Sequence, residues 1–341
     1  MIRVLVAEDS AVAREYLVHL LNQDPDLQVV GTVPNGLDAV EQTERLRPNV
    51  VLMDIHMPQM NGYEATRQIM ERVPTAIVMV SSILSHDEIV MTFEALKAGA
   101  LAVLDKPAGL GHPDSPKTAL QLQQTIKLMA GIKVIHRRPR RSGTVPPPLP
   151  PFGLSSAIRV VAIGASTGGP TVLAEILGGL PQNLRVPILV VQHIAPGFTA
   201  GLVEWIGKGS ALRVKLAEPG EPARSGTIYV APHGSEMGIT KDMKIRLTQG
   251  AAENDFCPSI SHLFQSVAES IGRTAAGIIL TGMGQDGANG LLALRRTGGV
   301  TIAQDEDSSV IFGMPGEAVR IGAAQYVLSP RQISELLRGL V

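Results

Sequence analysis

Ser166 stands between two patterns that make a hydroxyl useful. The apolar run Arg159–Ile163 before it reads as a buried parallel strand, and Thr171–Leu177 after it carries helical spacing, with Gly168-Gly169-Pro170 turning the chain between them. A residue at such a turn meets backbone N–H groups and the positive end of a helix dipole. That is how a nucleophilic hydroxyl is held out of a sheet beside oxyanion donors. The stretch is not the G-x-S-x-G elbow, since Thr167 separates Ser166 from Gly168. A phosphate-binding or purely structural glycine turn fits the same residues.

A serine nucleophile needs a base and a carboxylate that orients the base. His193 ends the run Val190-Val191-Gln192 and so belongs at a strand end, whereas the rival His233 lies in a turn-rich loop and His262 in a helical pattern. Asp286 sits in Thr281-Gly282-Met283-Gly284-Gln285-Asp286-Gly287, again a strand end followed by a glycine-rich loop. There it can hold the imidazole tautomer, and N–H groups of Thr167, Met283 and Gly284 can face the oxyanion and substrate. Taken singly, His193 reads equally as a satisfied core histidine and Asp286 as an Asp-Gly turn residue.

A second set lies in the first third of the chain. Glu8, Asp9, Asp54, Ser81 and Lys106 each close an apolar strand pattern: Arg3–Ala7, Val50–Met53, Ala76–Val80 and Ala102–Leu104. In an open parallel sheet the reactive crevice lies beyond the carboxyl ends of the strands, so the five should converge. Packed carboxylates repel unless a hard cation joins them, and Mg²⁺ prefers such oxygen ligands. A lysine and a hydroxyl at the rim suit the oxygens of a phosphoryl group arriving at Asp54.

The elements that must position both sets alternate strand with helix, which implies α/β folds: two doubly wound parallel-sheet domains. In the first half, Val29-Val30 begins a further strand, and Ala11–Leu21 and Leu37–Leu46 are helical patterns. In the second, strands are expected at Pro187–Val191, Thr227–Val230, Ile245–Leu247, Ala275–Leu280 and Val300–Ala303, with helices at Ile260–Ile271 and Gly290–Arg296. Between the halves, Leu120–Ile135 reads as a helix leaving the first domain. The basic stretch His136–Arg141 and the proline run Pro146–Pro151 follow it. Such a run is a semi-rigid polyproline II spacer, and the basic stretch reads as a solvated linker in preference to a contact for a partner or nucleic acid.

Composition narrows the classes. The 341 residues suit two domains with real cores, and 45% hydrophobic with 18% charged residues is the make-up of a globular protein. A net charge of −1 and 3% aromatics argue against nucleic-acid binding. The single cysteine, Cys257, excludes an internal disulfide framework and suits a reducing compartment. No apolar run approaches a membrane span and no leader pattern precedes the first strand, so a cytoplasmic location without membrane insertion is expected.

Residues 1–122 resemble a response-regulator receiver domain, which implies a flavodoxin-like fold. The resemblance rests on Asp54 followed by Ile55-His56-Met57-Pro58 and Asn61-Gly62. It implies Asp54 as phospho-acceptor, Glu8 and Asp9 as Mg²⁺ ligands with Asp54, Ser81 as switch hydroxyl, and Lys106 as phosphate contact. Lys106-Pro107 resembles the family's cis-proline turn. Val103 stands where a switch aromatic is usual. Residues 155–341 resemble the catalytic domain of protein-glutamate methylesterases of the CheB family, a Rossmann-like α/β esterase domain, with 123–154 as helix and linker. The carrying motifs are Ile163–Gly169, Gln192-His193 with Pro196-Gly197-Phe198, Leu280–Gly284 with Asp286-Gly287, and Phe312-Gly313-Met314-Pro315. Two positions depart: Cys257 where an arginine is common and Ser261 where an aspartate is common, which bears on substrate orientation.

The resemblance implies phosphorylation-regulated hydrolysis of glutamate γ-methyl esters on chemoreceptors, with receptor glutamine deamidation as a second activity. A histidine kinase would be the phosphodonor, Mg²⁺ would serve the receiver, and ester hydrolysis would need no cofactor. The competing class is a non-enzymatic response regulator or scaffold acting by protein or nucleic-acid binding. The Ser166, His193 and Asp286 set and the neutral charge weigh against it.

Overall fold

The computed structural model of the chain describes residues 1–81, 86–109, 112–132, 134, 157–250 and 257–341, with residues 86–90 described by their backbone alone. The linker stretches His136–Arg141 and Pro146–Pro151 lie outside the described residues, as does the expected start of the catalytic domain at Ser155. The chain divides into two compact units, Met1–Val145 and Pro146–Val341.

The first unit alternates β1 (Ile2–Ala7), α1 (Ala11–Asn22), β2 (Leu27–Val33), α2 (Gly36–Leu46), β3 (Val50–Asp54), α3 (Gly62–Arg72), β4 (Ala76–Ser81), α4 (His86–Ala98), β5 (Ala102–Asp105) and α5 (Ser115–Ala130). Its strands form one parallel sheet in the order β2-β1-β3-β4-β5. Every residue of β3 and β4 is buried, as expected where helices cover both faces, while edge strand β2 is buried only at its ends. Side chains cap the helices that leave the strand ends. Ser10 accepts the Ala13 N–H, Asn35 that of Asp38, and Asn61 that of Glu64.

The second unit contains β6 (Val160–Ala165), α6 (Gly169–Gly178), β7 (Ile188–Gln192), α7 (Phe198–Gly209), β8 (Arg213–Leu216), β9 (Thr227–Val230), β10 (Ser235–Ile239) and β11 (Ile245–Gln249). It continues with α8 (Ile260–Ser270), β12 (Ala275–Ile279), α9 (Ala288–Arg296), β13 (Val300–Gln304), α10 (Met314–Arg320), β14 (Tyr326–Leu328) and α11 (Pro330–Arg338). Its main sheet is parallel throughout, in the order β14-β13-β12-β6-β7-β9-β8. β10 and β11 form a separate antiparallel hairpin beside it. The central strands β6, β7 and β12 are wholly buried, and Ile260, Leu263, Phe264 and Val267 of α8 share a core cluster with Val160 and Ala162 of β6.

Two expectations need correction. The helix expected over Leu120–Ile135 begins at Ser115 and ends at Ala130; Pro116 lies in its first turn, where a missing N–H costs nothing. Ile135 lies outside the described residues. The peptide before Pro107 is trans, and Cys257–Pro258 is the cis bond among the described residues. The stretch after Lys106 is held by Tyr16, whose hydroxyl donates to the Ala108 carbonyl at 2.6 Å, and by Thr118, whose hydroxyl accepts the Ala108 N–H at 3.2 Å.

Candidate active site

In the second unit the sheet order sets β6 between β12 and β7, so the loops after these three strands are neighbours. Ser166 directly follows β6. Its N–H donates to the Thr281 carbonyl after β12 at 3.0 Å, and its carbonyl accepts the Gly169 N–H at 2.8 Å. Ser166 can come this close because Gly282 has no side chain: a Cβ there would lie 2.6 Å from the Ser166 Cβ. His193 directly follows β7 and donates its N–H to Ala165, the residue before the serine, at 2.9 Å.

The His193 ring meets Asp286. Nε2 lies 3.0 Å from Oδ2, a short contact that lacks the alignment of a full N–H···O hydrogen bond. Asp286 is anchored from the other side by the start of α8. Oδ2 accepts the Ile260 N–H at 2.8 Å; Oδ1 accepts the Ser261 and Gly287 N–H groups at 3.0 and 2.8 Å and the Ser259 hydroxyl at 3.2 Å. Burial alone would raise this carboxyl. The His193 contact, the Ser261 bond and the Ile260 N–H outweigh burial and hold it well below the usual carboxylate range.

His233 is exposed in the turn between β9 and β10, and His262 lies in the first turn of α8, where its N–H donates to Ser259 Oγ. Thr167, Met283 and Gly284 occupy the loops that flank Ser166, with the Met283 side chain 44% exposed. The Phe312-Gly313-Met314-Pro315 stretch braces the aspartate loop: Phe312 bridges to Gly282, and Met314 N–H donates to the Gly282 carbonyl at 2.9 Å. Of the two departing positions, Ser261 faces the aspartate loop, where its hydroxyl accepts the Gly287 N–H at 2.7 Å. Cys257 is half-buried, and burial followed by the charge of Glu236 pushes its thiol up.

Two contributors escaped the sequence reading. Ser259 both caps α8 and binds Asp286. Thr281, fully buried, donates its hydroxyl toward the Thr167 and Ile311 carbonyls at 3.0 and 3.2 Å and so ties three loops together. Pro258-Ser259 ahead of an apolar periodic run was a readable cap signal for the first. Nothing local marked the second.

In the first unit, ligand oxygens of Glu8, Asp9 and Asp54 lie within 4.8 Å of one another. The Lys106 ammonium reaches Glu8 Oε2 at 2.8 Å, Glu8 Oε1 at 3.0 Å and Asp54 Oδ2 at 3.1 Å. Ser81 is buried at the end of β4, and its carbonyl accepts the Lys106 N–H at 3.1 Å. Burial and then the Glu8 charge push the Asp54 carboxyl up to about 6, against the pull of Lys106 and the Ile55 N–H. Burial opposes the Lys106 charge, but the two carboxylates more than offset it and raise the ammonium above its ordinary range. The all-oxygen donor set, with the surplus negative charge that the raised Asp54 reports, fits a hard divalent cation such as Mg²⁺.

These two folds, with acidic and hydroxyl groups gathered at their strand ends, define a class: a response-regulator receiver joined to a parallel-sheet esterase domain. Residues 161–337 match the family model for CheB methylesterase, and residues 4–112 that for the response regulator receiver domain. The chain belongs to the CheB methylesterase family. It is 48% identical over 343 residues to protein-glutamate methylesterase/protein-glutamine glutaminase 4 of Geobacter metallireducens, covering 100% of this chain and 99% of that protein. Identity to protein-glutamate methylesterase/protein-glutamine glutaminase 1 of Syntrophus aciditrophicus is 46% over 343 residues, covering 99% and 97%. The CheB methylesterase catalytic domain of Thermotoga maritima superposes with a TM-score of 0.52 at 38% identity, covering 54% of this chain and 99% of that chain.

Proposed function

We propose that the chain removes γ-methyl esters from glutamate side chains of chemoreceptors, and deamidates receptor glutamines, under control of phosphorylation at Asp54. Residues 1–122 form the receiver, 123–154 the connecting helix and linker, and 155–341 the catalytic domain. A histidine kinase of a chemosensory pathway supplies the phosphoryl group. No described helix is long and apolar enough to cross a membrane.

The observation that carries the reading is the His193–Asp286 contact at the mouth of the sheet, one strand on either side of Ser166. With Nε2 facing Asp286, Nδ1 is the nitrogen that takes the Ser166 proton. Ser166 Oγ then bonds to the ester carbonyl carbon, and the oxygen gains negative charge beside N–H groups of Thr167, Met283 and Gly284. Collapse breaks the carbon–methoxy bond, and His193 returns its proton to the methoxide, which leaves as methanol. A water gives a proton to His193 and attacks the acyl-enzyme, releasing the glutamate carboxylic acid and restoring Ser166. Glutamine deamidation follows the same course with ammonia leaving.

In the receiver, Mg²⁺ held by Glu8, Asp9 and Asp54 would neutralise charge on the incoming phosphoryl group. Lys106 shares that task at the rim, and Asp54 Oδ1 is held by the Ile55 N–H at 2.8 Å. Ser81 stands one strand away as the hydroxyl partner of a phosphorylated Asp54.

Methanol release from receptor membranes carrying labelled methyl esters tests the reading. The intact chain should release methanol and Ser166→Ala should not. Release no greater than a blank by the wild-type chain would overturn the esterase reading in favour of a non-enzymatic regulator or scaffold.

A further inference from the structure

Gln192, the last residue of β7, is 4% exposed and takes no part in the chemistry just described. Its Nε2 donates both protons to main-chain carbonyls, that of Ser166 at 2.8 Å and that of His193 at 2.8 Å. One carboxamide therefore spans the two loops that carry the nucleophile and the base. The other main-chain ties of these residues run to different partners: Ser166 to Thr281 and Gly169, His193 to Ala165. Gln192 alone, among the hydrogen bonds described, joins the carbonyls of both.

The other end of the amide is equally constrained. Oε1 is buried without a hydrogen-bond partner and faces the start of α6. A Cβ at Gly169 would sit 2.2 Å from it, so glycine there makes the room the carboxamide occupies. An orphaned buried acceptor is unfavourable. The amide is nevertheless turned this way, since the opposite turn would set Oε1 against two carbonyl oxygens. The positive end of α6 makes the observed turn tolerable.

We propose that Gln192 is a positioning residue whose carboxamide sets the separation of Ser166 and His193. The inference rests on the nucleophile and base roles given above. Misplacing reacting groups by about 1 Å costs on the order of 10²-fold in rate, and this side chain is where such a shift is resisted.

The test uses full-length wild type, Gln192→Leu, Gln192→Glu and Ser166→Ala on methylated receptor membranes, with active sites titrated by a serine-directed phosphonate. Gln192→Leu should lower kcat by about 10²-fold and leave KM within about threefold, the signature of an interaction that matters at the transition state. Gln192→Glu separates positioning from packing. Ionised, it opposes two carbonyls; protonated, it donates to one of them. Its kcat divided by that of wild type should therefore climb as pH falls from about 8 to about 5. Normal kcat in Gln192→Leu would overturn the proposal. Should that variant fail to fold, a ratio for Gln192→Glu that stays flat with pH would overturn it. If wild type and Ser166→Ala are equally inactive, the esterase reading has failed instead.

Discussion

Asp286 is held on several sides by described residues, and its chemistry follows from that anchoring. Three backbone N–H groups, a serine hydroxyl and the imidazole surround a carboxylate that remains partly exposed. Ser166→Ala should reduce ester turnover by about 10⁶ and Asp286→Asn by about 10⁴, as in other serine hydrolases, checked by labelled methanol release. Folding lowers the Asp286 pKa, so the unfolded chain binds its proton more readily. Stability from this group is therefore fully present above the ordinary carboxylate value, about pH 4, and is lost as acidity increases through the lower folded value. The melting temperatures of wild type and Asp286→Asn should differ by a steady amount down to about pH 5 and draw together below about pH 4. By the same argument Asp286 adds no ionisation to the rate profile above about pH 4.

Among elements, α8 links stability to the site, because Ser259 serves both. It caps the helix through the His262 N–H and hydrogen-bonds Asp286 through the same hydroxyl. Ser259→Ala should remove about 1 kcal/mol of cap stability and lower kcat. Ser259→Asp should restore the melting temperature but not kcat, since a second carboxylate would face Asp286. Equal recovery of both by Ser259→Asp would dissociate the cap from the site. Such double duty explains what the sequence could reveal. Buried strands such as Val50–Asp54 and Val160–Ala165 announce themselves as apolar runs, and residues at their ends stand out by placement. Edge strand Arg213–Leu216 and hairpin strand Ser235–Ile239 carry polar or charged residues and no such run, and so escaped notice. α5 began earlier than its periodicity because a proline opens it. Ser259, Thr281 and Gln192 contribute through hydrogen bonds to loops remote in sequence, and no local pattern encodes that.

For the molecule as a whole, the receiver pocket predicts how activity is set. Treating the full-length chain with a small phosphodonor and Mg²⁺ should label Asp54, and chelation or Asp54→Asn should abolish labelling. Phosphorylation should raise receptor ester hydrolysis by about tenfold or more, a shift that needs only about 1.4 kcal/mol of differential free energy between two states. Asp54→Asn should stay at the unphosphorylated rate. Equal rates with and without phosphodonor would leave the receiver as a tether. Chelation alone should not slow hydrolysis by the unphosphorylated chain.

The sheet order has a consequence for the birth of the protein. β6 and β7 leave the ribosome early, but the strand that completes the site, β12, must slot in on the far side of β6. The loop after it is braced in turn by Phe312 and Met314. A growing chain that already displays Ser166 and His193 has neither the carboxylate nor the Thr281 carbonyl that holds the serine in place. Contacts this distant in sequence form late. Stalled chains of increasing length should therefore stay silent toward esters until the segment through Met314 has emerged, so a newborn copy becomes a hydrolase only after both loops that brace its serine have been made.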